Sequence, residues 1–193
     1  MDILAGEFPG ALLGEASTPQ EALDLVWNQD WDLILLDVGL PGRNGIELLK
    51  EIRSAHPKVQ VMILSMHSED QFAVRALRAG AAGYLTKESS PEILLQGVRR
   101  LLAGGKFITP SLAERLALHL DADTTKMPHE SLSDREFEVL RLIGSGKTVG
   151  KIAEQLSLNV KTISTYRARI LEKMGLSNNA DLVQYCVHNN LAG

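Results

Sequence analysis

Three polar side chains with complementary chemistry follow apolar runs in the first half of the chain: Asp37, Ser65 and Lys87. Such runs are typical of parallel strands that are buried on both faces. Because the carboxyl ends of parallel strands share one edge of a sheet, we expect the three side chains to converge. A carboxylate can accept a phosphoryl group, a hydroxyl can bond its oxygens, and an ammonium can neutralise its charge. The pattern predicts a phosphoacceptor at Asp37, with Ser65 and Lys87 binding the phosphoryl group.

Each of these residues also has a simpler interpretation when it is considered singly. Asp37 is then a turn residue at the end of a strand, Ser65 a structural hydroxyl and Lys87 a solvated cation. The occurrence of all three in this order favours the functional interpretation. An enzyme that uses Asp37 as a nucleophile in turnover is a weaker alternative, because no motif for a substrate pocket accompanies it.

Helices are predicted between the strands. Their predicted positions are from Thr18 onward, over residues 45–55 after an Asn44 cap, over about residues 70–79, and from Ser90 to Gly104. Ala11–Ala16 is predicted as a further short strand. Strands that alternate with helices predict an α/β fold with a doubly wound parallel sheet.

The distribution of charge divides the chain of 193 residues into two parts. Residues 1–130 contain 12 basic and 18 acidic residues, whereas residues 131–193 contain 8 and 6. An acidic front and a mildly basic rear indicate two domains with different partners. We predict a front domain over residues 1–104, a connector helix and linker over 105–130, and a rear domain over 131–193.

Cysteine content and hydropathy bear on the compartment. The single cysteine, Cys186, excludes an internal disulfide framework and is typical of a reducing cytoplasm. No apolar run approaches the length of a membrane span. We therefore expect a cytoplasmic protein with no membrane partner.

The rear domain has the pattern of a helix-turn-helix. A capping box starts at Ser133, and a later helix is predicted from an Asn159 cap to about Met174. Val160, Ile163, Ile170 and Met174 share the predicted inward face of this helix. The opposite, small and polar face fits a reader of the DNA major groove, with cations beside it for phosphates. An ordinary solvated helix is the alternative. The outer residues are Lys161, Ser164, Thr165 and Ala168, and the flanking cations are Arg167, Arg169, Lys173 and Lys147.

The front domain resembles the receiver domain of two-component response regulators. The resemblance rests on Asp37 followed by LPGRNG, on Ser65 after an apolar strand, and on AGAAGYLTK, which ends at Lys87. It implies a flavodoxin-like fold and transfer of a phosphoryl group to Asp37 from a sensor histidine kinase. It also implies that Ser65 and Tyr84 form a conformational switch, that Lys87 contacts the phosphoryl group, and that Asp37 and the Gly39 carbonyl bind Mg²⁺.

One part of the family pattern has no counterpart in this sequence. The family has a first strand that ends in an acidic pair, and this pair also binds Mg²⁺. Here Asp2–Phe8 looks like the last turns of the first helix of the family. We therefore expect an N-terminally truncated receiver domain without that strand. Ala11–Ala16 is then expected to be displaced, to pair loosely with Leu33–Leu36, or to be exposed.

The rear domain resembles the LuxR/FixJ-type, NarL-like DNA-binding domain over the run LSDREFEVLRLIGSGKTVGKIAEQLSLNVKTISTYRARILEKMG. The resemblance implies a four-helix domain whose third helix enters the major groove. It implies base contacts from Ser164, Thr165 and Ala168. It implies phosphate contacts from Lys161, Thr162, Tyr166, Arg167 and Arg169. It also implies a dimer contact through the last helix, which we assign to Leu182, Tyr185 and Cys186.

Together these features predict a transcription regulator of a two-component system. Phosphorylation of Asp37 is expected to control binding of double-stranded DNA by a homodimer. The alternative is a phosphorylation-independent DNA-binding protein in which the receiver remnant serves only as a dimerisation scaffold. His119 and His129 have no partners at metal-ligand spacing, and both are expected to be solvated.

Overall fold

The computed structural model describes residues 2–40, 43–66, 71–114 and 127–191. Two compact units make up the chain, residues 1–118 and residues 119–193. The first unit is an α/β domain with a parallel sheet, and the second is a bundle of helices. The predicted fold class is confirmed in both units.

Among the described residues of the first unit, three parallel strands form a sheet in the order β1 (Leu33–Asp37), β2 (Gln60–Ser65) and β3 (Gly83–Thr86). All three strands are largely apolar, because helices cover both faces of the sheet. In the register of the sheet Asp37 lies beside Leu64, and Ser65 lies beside Thr86. The three carboxyl ends therefore meet at one edge, as the sequence predicts.

Helices flank the strands in the described part of this unit, and they include α1 (Asp2–Glu7), α2 (Pro19–Asn28), α3 (Gly45–Ala55), α4 (Gln71–Arg78) and α5 (Pro91–Leu102). On one face of the sheet, Met62 and Leu85 pack against Leu101 of α5, and Leu4 of α1 joins this cluster. Helices α3 and α4 contact strands β1 and β3 respectively. The predicted caps are present: the Thr18 hydroxyl accepts the Glu21 N–H at 3.2 Å, and the Asn44 side chain accepts the Ile46 N–H at 2.8 Å.

The prediction of a strand at Ala11–Ala16 is wrong. This segment has no regular secondary structure, and Leu12 is 65% exposed. The chain leaves α1 through a turn in which the Ala11 N–H donates to the Phe8 carbonyl. A short segment becomes a strand only when a neighbouring strand pairs with its backbone, and among the described residues β1 pairs with β2 alone. The exposed state of the segment is one of the outcomes expected above.

The region between the two units is described only in part. Residues 110–114 are helical and Leu112 is buried, whereas His119, which is predicted to be solvated, lies outside the described residues. The predicted irregular linker ends earlier than expected, because Pro128–Ser131 forms a 3₁₀ turn. His129 in this turn is 1% exposed. Its prediction as a solvated residue is therefore wrong.

Within residues 127–191, the described part of the second unit, there are four α-helices: α6 (Asp134–Gly144), α7 (Val149–Gln155), α8 (Val160–Met174) and α9 (Asn179–His188). Ser133 and Glu136 form the predicted capping box of α6. The Asn159 side chain accepts the Thr162 N–H at 2.7 Å and so caps α8. Helix α8 ends at Gly175, whose φ of 65° is a left-handed conformation that glycine adopts without strain. Local capping thus sets the bounds of α8.

Candidate phosphoacceptor and DNA-binding sites

Asp37 lies at the carboxyl end of β1 and makes two polar contacts. Its Oδ1 accepts the Gly39 N–H at 2.8 Å, and its Oδ2 pairs with the Lys87 ammonium. About a third of the side-chain surface of Asp37 and of Lys87 is exposed, so the pair is accessible from solvent. This arrangement places a carboxylate nucleophile beside a cation at an open sheet edge.

Ser65 and Tyr84 lie in the neighbouring strands. Ser65 ends β2 and is buried, and its carbonyl accepts the Lys87 N–H at 2.8 Å. Tyr84 is fully buried in β3, where it pairs with Ile63 of β2. The hydrogen bond between the Lys87 N–H and the Ser65 carbonyl thus links the end of β2 to Lys87, which contacts Asp37. Strand pairing brings Asp37, Ser65 and Lys87 to one edge of the sheet. Tyr84 lies in β3, three residues before Lys87, and is buried.

Gly45, the first residue of α3, lies close to the backbone of Asp37 and Val38 at this edge. Its N–H donates to the Val38 carbonyl at 3.3 Å. A Cβ atom at Gly45 would lie 2.6 Å from the Val38 Cα and 2.9 Å from the Asp37 carbonyl oxygen. No side chain fits at these distances without movement of the backbone. The sequence predicts residue 45 only as the start of a helix, and it carries no signal of this close approach beyond the glycine itself.

The fit of this edge to Mg²⁺ follows from its oxygen atoms. Mg²⁺ prefers a nearly octahedral shell of oxygen ligands. Asp37 supplies one carboxylate, but both of its oxygens already have partners, and Gly39 contacts it through the N–H. Nowhere in the described part of the chain do three His, Cys, Asp or Glu side chains group as a metal site. These residues therefore do not fit the Mg²⁺ site with an acidic pair that the resemblance implies.

Helix α8 presents an exposed face with the predicted composition. Lys161, Ser164, Thr165, Ala168 and Arg169 are exposed, whereas Ile163, Ile170 and Met174 are buried. Thr162, Tyr166 and Arg167 are half-buried at the sides of the helix. Val160 differs from its prediction as an inward residue, because it is 55% exposed. The first residue of α8 therefore lies outside the core although Ile163, one turn later, is buried. Helical periodicity did not distinguish the two positions.

Two neighbouring helices hold the sides of α8. The Arg167 guanidinium donates to the Asn179 side chain at the start of α9. On the other side, the Lys173 ammonium donates to Glu136 of α6 at 2.6 Å. Burial alone would raise the pKa of Glu136, but the hydrogen bonds from Lys173 and Ser133 outweigh it and lower that pKa. Lys173 was predicted to flank the groove-reading face, which is the exposed face of α8 around Ser164 and Thr165. In the structure it joins α8 to α6 through Glu136.

The predicted dimer residues do not form an exposed surface. Leu182 and Cys186 are 0% exposed, and the Cys186 thiol donates to the Leu140 carbonyl of α6 at 3.7 Å. Burial raises the pKa of that thiol to about 11. The Tyr185 hydroxyl lies 2.7 Å from Nδ1 of the buried His129. Leu182 and Cys186 therefore pack inside their own domain and are not available for the predicted dimer contact, whereas Tyr185 is half-buried.

A different face of α9 is exposed. It contains Ala180, Gln184 and Val187, which follow one another at helical spacing, and Val187 is 62% exposed. Val187 is one of the exposed large apolar residues of the unit. A contact made by α9 with another molecule would have to use this face.

Comparison with known proteins gives the same division of the chain. Residues 7–99 match the response regulator receiver domain family, and residues 130–186 match the luxR family of bacterial regulatory proteins. Response regulator GacA of Pseudomonas aeruginosa is 33% identical over 181 residues, which are 93% of this chain and 85% of GacA.

Two solved structures of RcsB are also similar. The response regulator from Salmonella typhimurium is 25% identical with a TM-score of 0.59, over 96% of this chain and 90% of that chain. A structure of two RcsB dimers bound to two parallel DNAs is 25% identical with a TM-score of 0.56, over 96% of this chain and 89% of that chain. The similarity therefore extends over both units.

The fold and these two sites define a protein with a receiver domain and a helix-turn-helix output domain. The chain belongs to the LuxR family of two-component response regulators. Members of this family are transcription regulators rather than enzymes, and their receiver domains typically use Mg²⁺ for phosphorylation. No helix in the described ranges has the length and apolarity that a bilayer crossing requires.

Proposed function

We propose that Asp37 is the phosphoacceptor of a DNA-binding transcription regulator and that α8 is its recognition helix. The contact between Asp37 and Lys87 at the open sheet edge carries the first assignment. A cation in this position is suited to hold the negative charge of a transferred phosphoryl group. Ser65 is assigned to the phosphoryl site and Tyr84 to the switch. The phosphodonor is a sensor histidine kinase, and the protein acts in the cytoplasm.

The exposed face of α8 supports the second assignment. Small and polar residues occupy its centre, so the helix backbone can approach the base edges in a major groove. We assign base contacts to Ser164, Thr165 and Ala168. Phosphate contacts are assigned to the cations and polar residues around them, namely Lys161, Thr162, Tyr166, Arg167 and Arg169.

We assign the dimer contact on DNA to the exposed face of α9. One domain offers a single recognition helix, and two half-sites are read when two copies bind as a dimer. Val187, near the carboxyl end of this face, replaces the buried Leu182 and Cys186 in the assignment. Val187→Glu should weaken binding to a two-half-site operator more than binding to a single half-site. Equal weakening on both DNAs would contradict this interface.

DNA binding itself is tested by the salt dependence of affinity. Each phosphate contact that is removed should lower the slope of log affinity against log salt by about 1, whatever the DNA sequence. We expect this result for Arg169→Ala in the full chain. Arg100→Ala removes the same charge from an exposed position on α5 and is the matched control. If both variants keep the wild-type slope, α8 is not the DNA-binding element.

A further inference from the structure

Three hydroxyl groups on the first half of α8 donate their hydrogen atoms to acceptors within the protein. The Ser164 hydroxyl donates to the Val160 carbonyl at 2.9 Å. The Thr165 hydroxyl donates to the Lys161 carbonyl at 3.0 Å. Beside them, the Thr162 hydroxyl donates to the Asn159 cap at 2.9 Å. Each hydroxyl has one hydrogen atom, so all three donors are already used.

The remaining hydrogen-bonding capacity of these hydroxyls is that of acceptors. A serine or threonine oxygen has two lone pairs, and these stay available when the hydrogen points back to the helix. Ser164 and Thr165 are exposed at the centre of the groove-reading face. The donors on this face are the cationic side chains of Lys161 and Arg169, which lie around the two hydroxyls.

The four bases differ in the donors that they offer to such acceptors, and each base pair carries one amino group in the major groove. In the major groove adenine presents its N6 amino group and cytosine its N4 amino group. Guanine and thymine present carbonyl oxygens there, which are acceptors only. A hydroxyl that faces a guanine or thymine oxygen must turn its hydrogen outward and give up its bond within the helix. The helix is therefore biased toward bases with amino groups.

We propose that Ser164 and Thr165 read base amino groups, so that each half-site presents adenine or cytosine amino groups to these two residues. This inference rests on the assignment of α8 as the recognition helix. It adds the chemical class of base that the helix selects. Thr162 contributes nothing to this selection, because its side chain is half-buried at the side of the helix, whereas Ser164 and Thr165 are exposed.

The test uses the full chain and duplexes with single-base analogues. Preferred duplexes are first selected from a randomised library. Each adenine in the half-site is then replaced by purine and each cytosine by pyrimidin-2-one, and both analogues lack only the amino group. We expect a loss of about threefold to tenfold in affinity at one or two positions per half-site, the value of one net hydrogen bond. Substitution at the other adenines and cytosines should have little effect.

Matched variants assign the contact to individual hydroxyls. In Ser164→Ala or Thr165→Val one of the sensitive positions should become insensitive to loss of the amino group. Ser145→Ala removes a hydroxyl at the end of α6 that also donates to a helix carbonyl, and it should leave every position as in the wild type. The inference is overturned if no amino group matters, or if the same positions stay sensitive in both variants. If the wild type binds no duplex at all, or binds all duplexes alike, the assignment of α8 as a sequence reader fails as well.

Discussion

The proposed phosphoacceptor site and the proposed DNA-reading face, the exposed face of α8, are built in opposite ways. Asp37 and Lys87 are fifty residues apart, and strand pairing alone brings them together. The residues of the DNA-reading face lie within a few turns of one helix, which has its own caps and is braced by α6 and α9. The first site depends on the register of a sheet and the second on the position of one helix. Substitutions that move backbone should therefore damage the first site more.

The largest contrast is expected inside the DNA-binding domain, between buried and exposed residues of α9. Leu182→Ala removes a fully buried side chain and should lower the free energy of unfolding by about 2–5 kcal/mol. Val187→Ala on the exposed face should change it by less than about 0.5 kcal/mol. Urea unfolding of the full chain, followed by amide signals of residues 134–188, measures both. Similar small effects would show that Leu182 does not belong to the core.

The second contrast compares a glycine of each region. Gly45→Ala should lower the stability of the receiver domain by about 1–3 kcal/mol, because its Cβ would overlap the backbone of Val38. Gly150→Ala in α7 meets no atom within 4 Å and should stabilise its domain by up to about 1 kcal/mol. Thermal unfolding of the two variants measures these changes. A harmless Gly45→Ala would contradict the close approach of the chain to Asp37.

The smallest contrast is a dependence on pH that is confined to the DNA-binding domain. Hydrogen bonds lower the pKa of Glu136 in the folded protein below its usual value of 4.5. A lowered pKa stabilises the fold above the unfolded value, and this stabilisation is lost as the pH falls through the folded value. Lys173→Met should therefore destabilise the domain at pH 7 and have a smaller effect below about pH 4.5.

Lys151→Met, at an exposed position of α7, is the control for this measurement. It should show no such convergence with the wild type in urea unfolding curves across the same pH range. If the effect of Lys173→Met stays constant with pH, the bond to Glu136 does not govern the carboxyl group.

The elements that the sequence predicted well are those fixed by neighbouring residues. The cap at Asn44 and the capping box at Ser133 mark helix starts because both partners lie within three residues. The run that ends at Asp37 forms a strand because its residues are apolar on both faces of the strand. The strand at residues 11–16 failed because its formation depends on a partner strand rather than on its own residues.

Two failures concern burial by distant parts of the chain. Periodicity identified the apolar stripe of Leu182 and Cys186 but does not tell whether a stripe faces its own core or a second molecule. His129 lies in a polar stretch, and its burial results from contacts with Phe137 and with Tyr185, which is 56 residues away. The base preference that we propose for α8 was also beyond the sequence, since it depends on where the hydroxyl hydrogens point.

We propose that phosphorylation of Asp37 controls DNA binding by the second unit. The most direct test measures the affinity of the full chain for its selected duplex with and without a small phosphodonor such as acetyl phosphate. We expect the phosphodonor to change the affinity of the wild type and to leave that of Asp37→Asn unchanged. Equal changes in both proteins, or no change in the wild type, would contradict the assignment of Asp37 as the controlling phosphoacceptor.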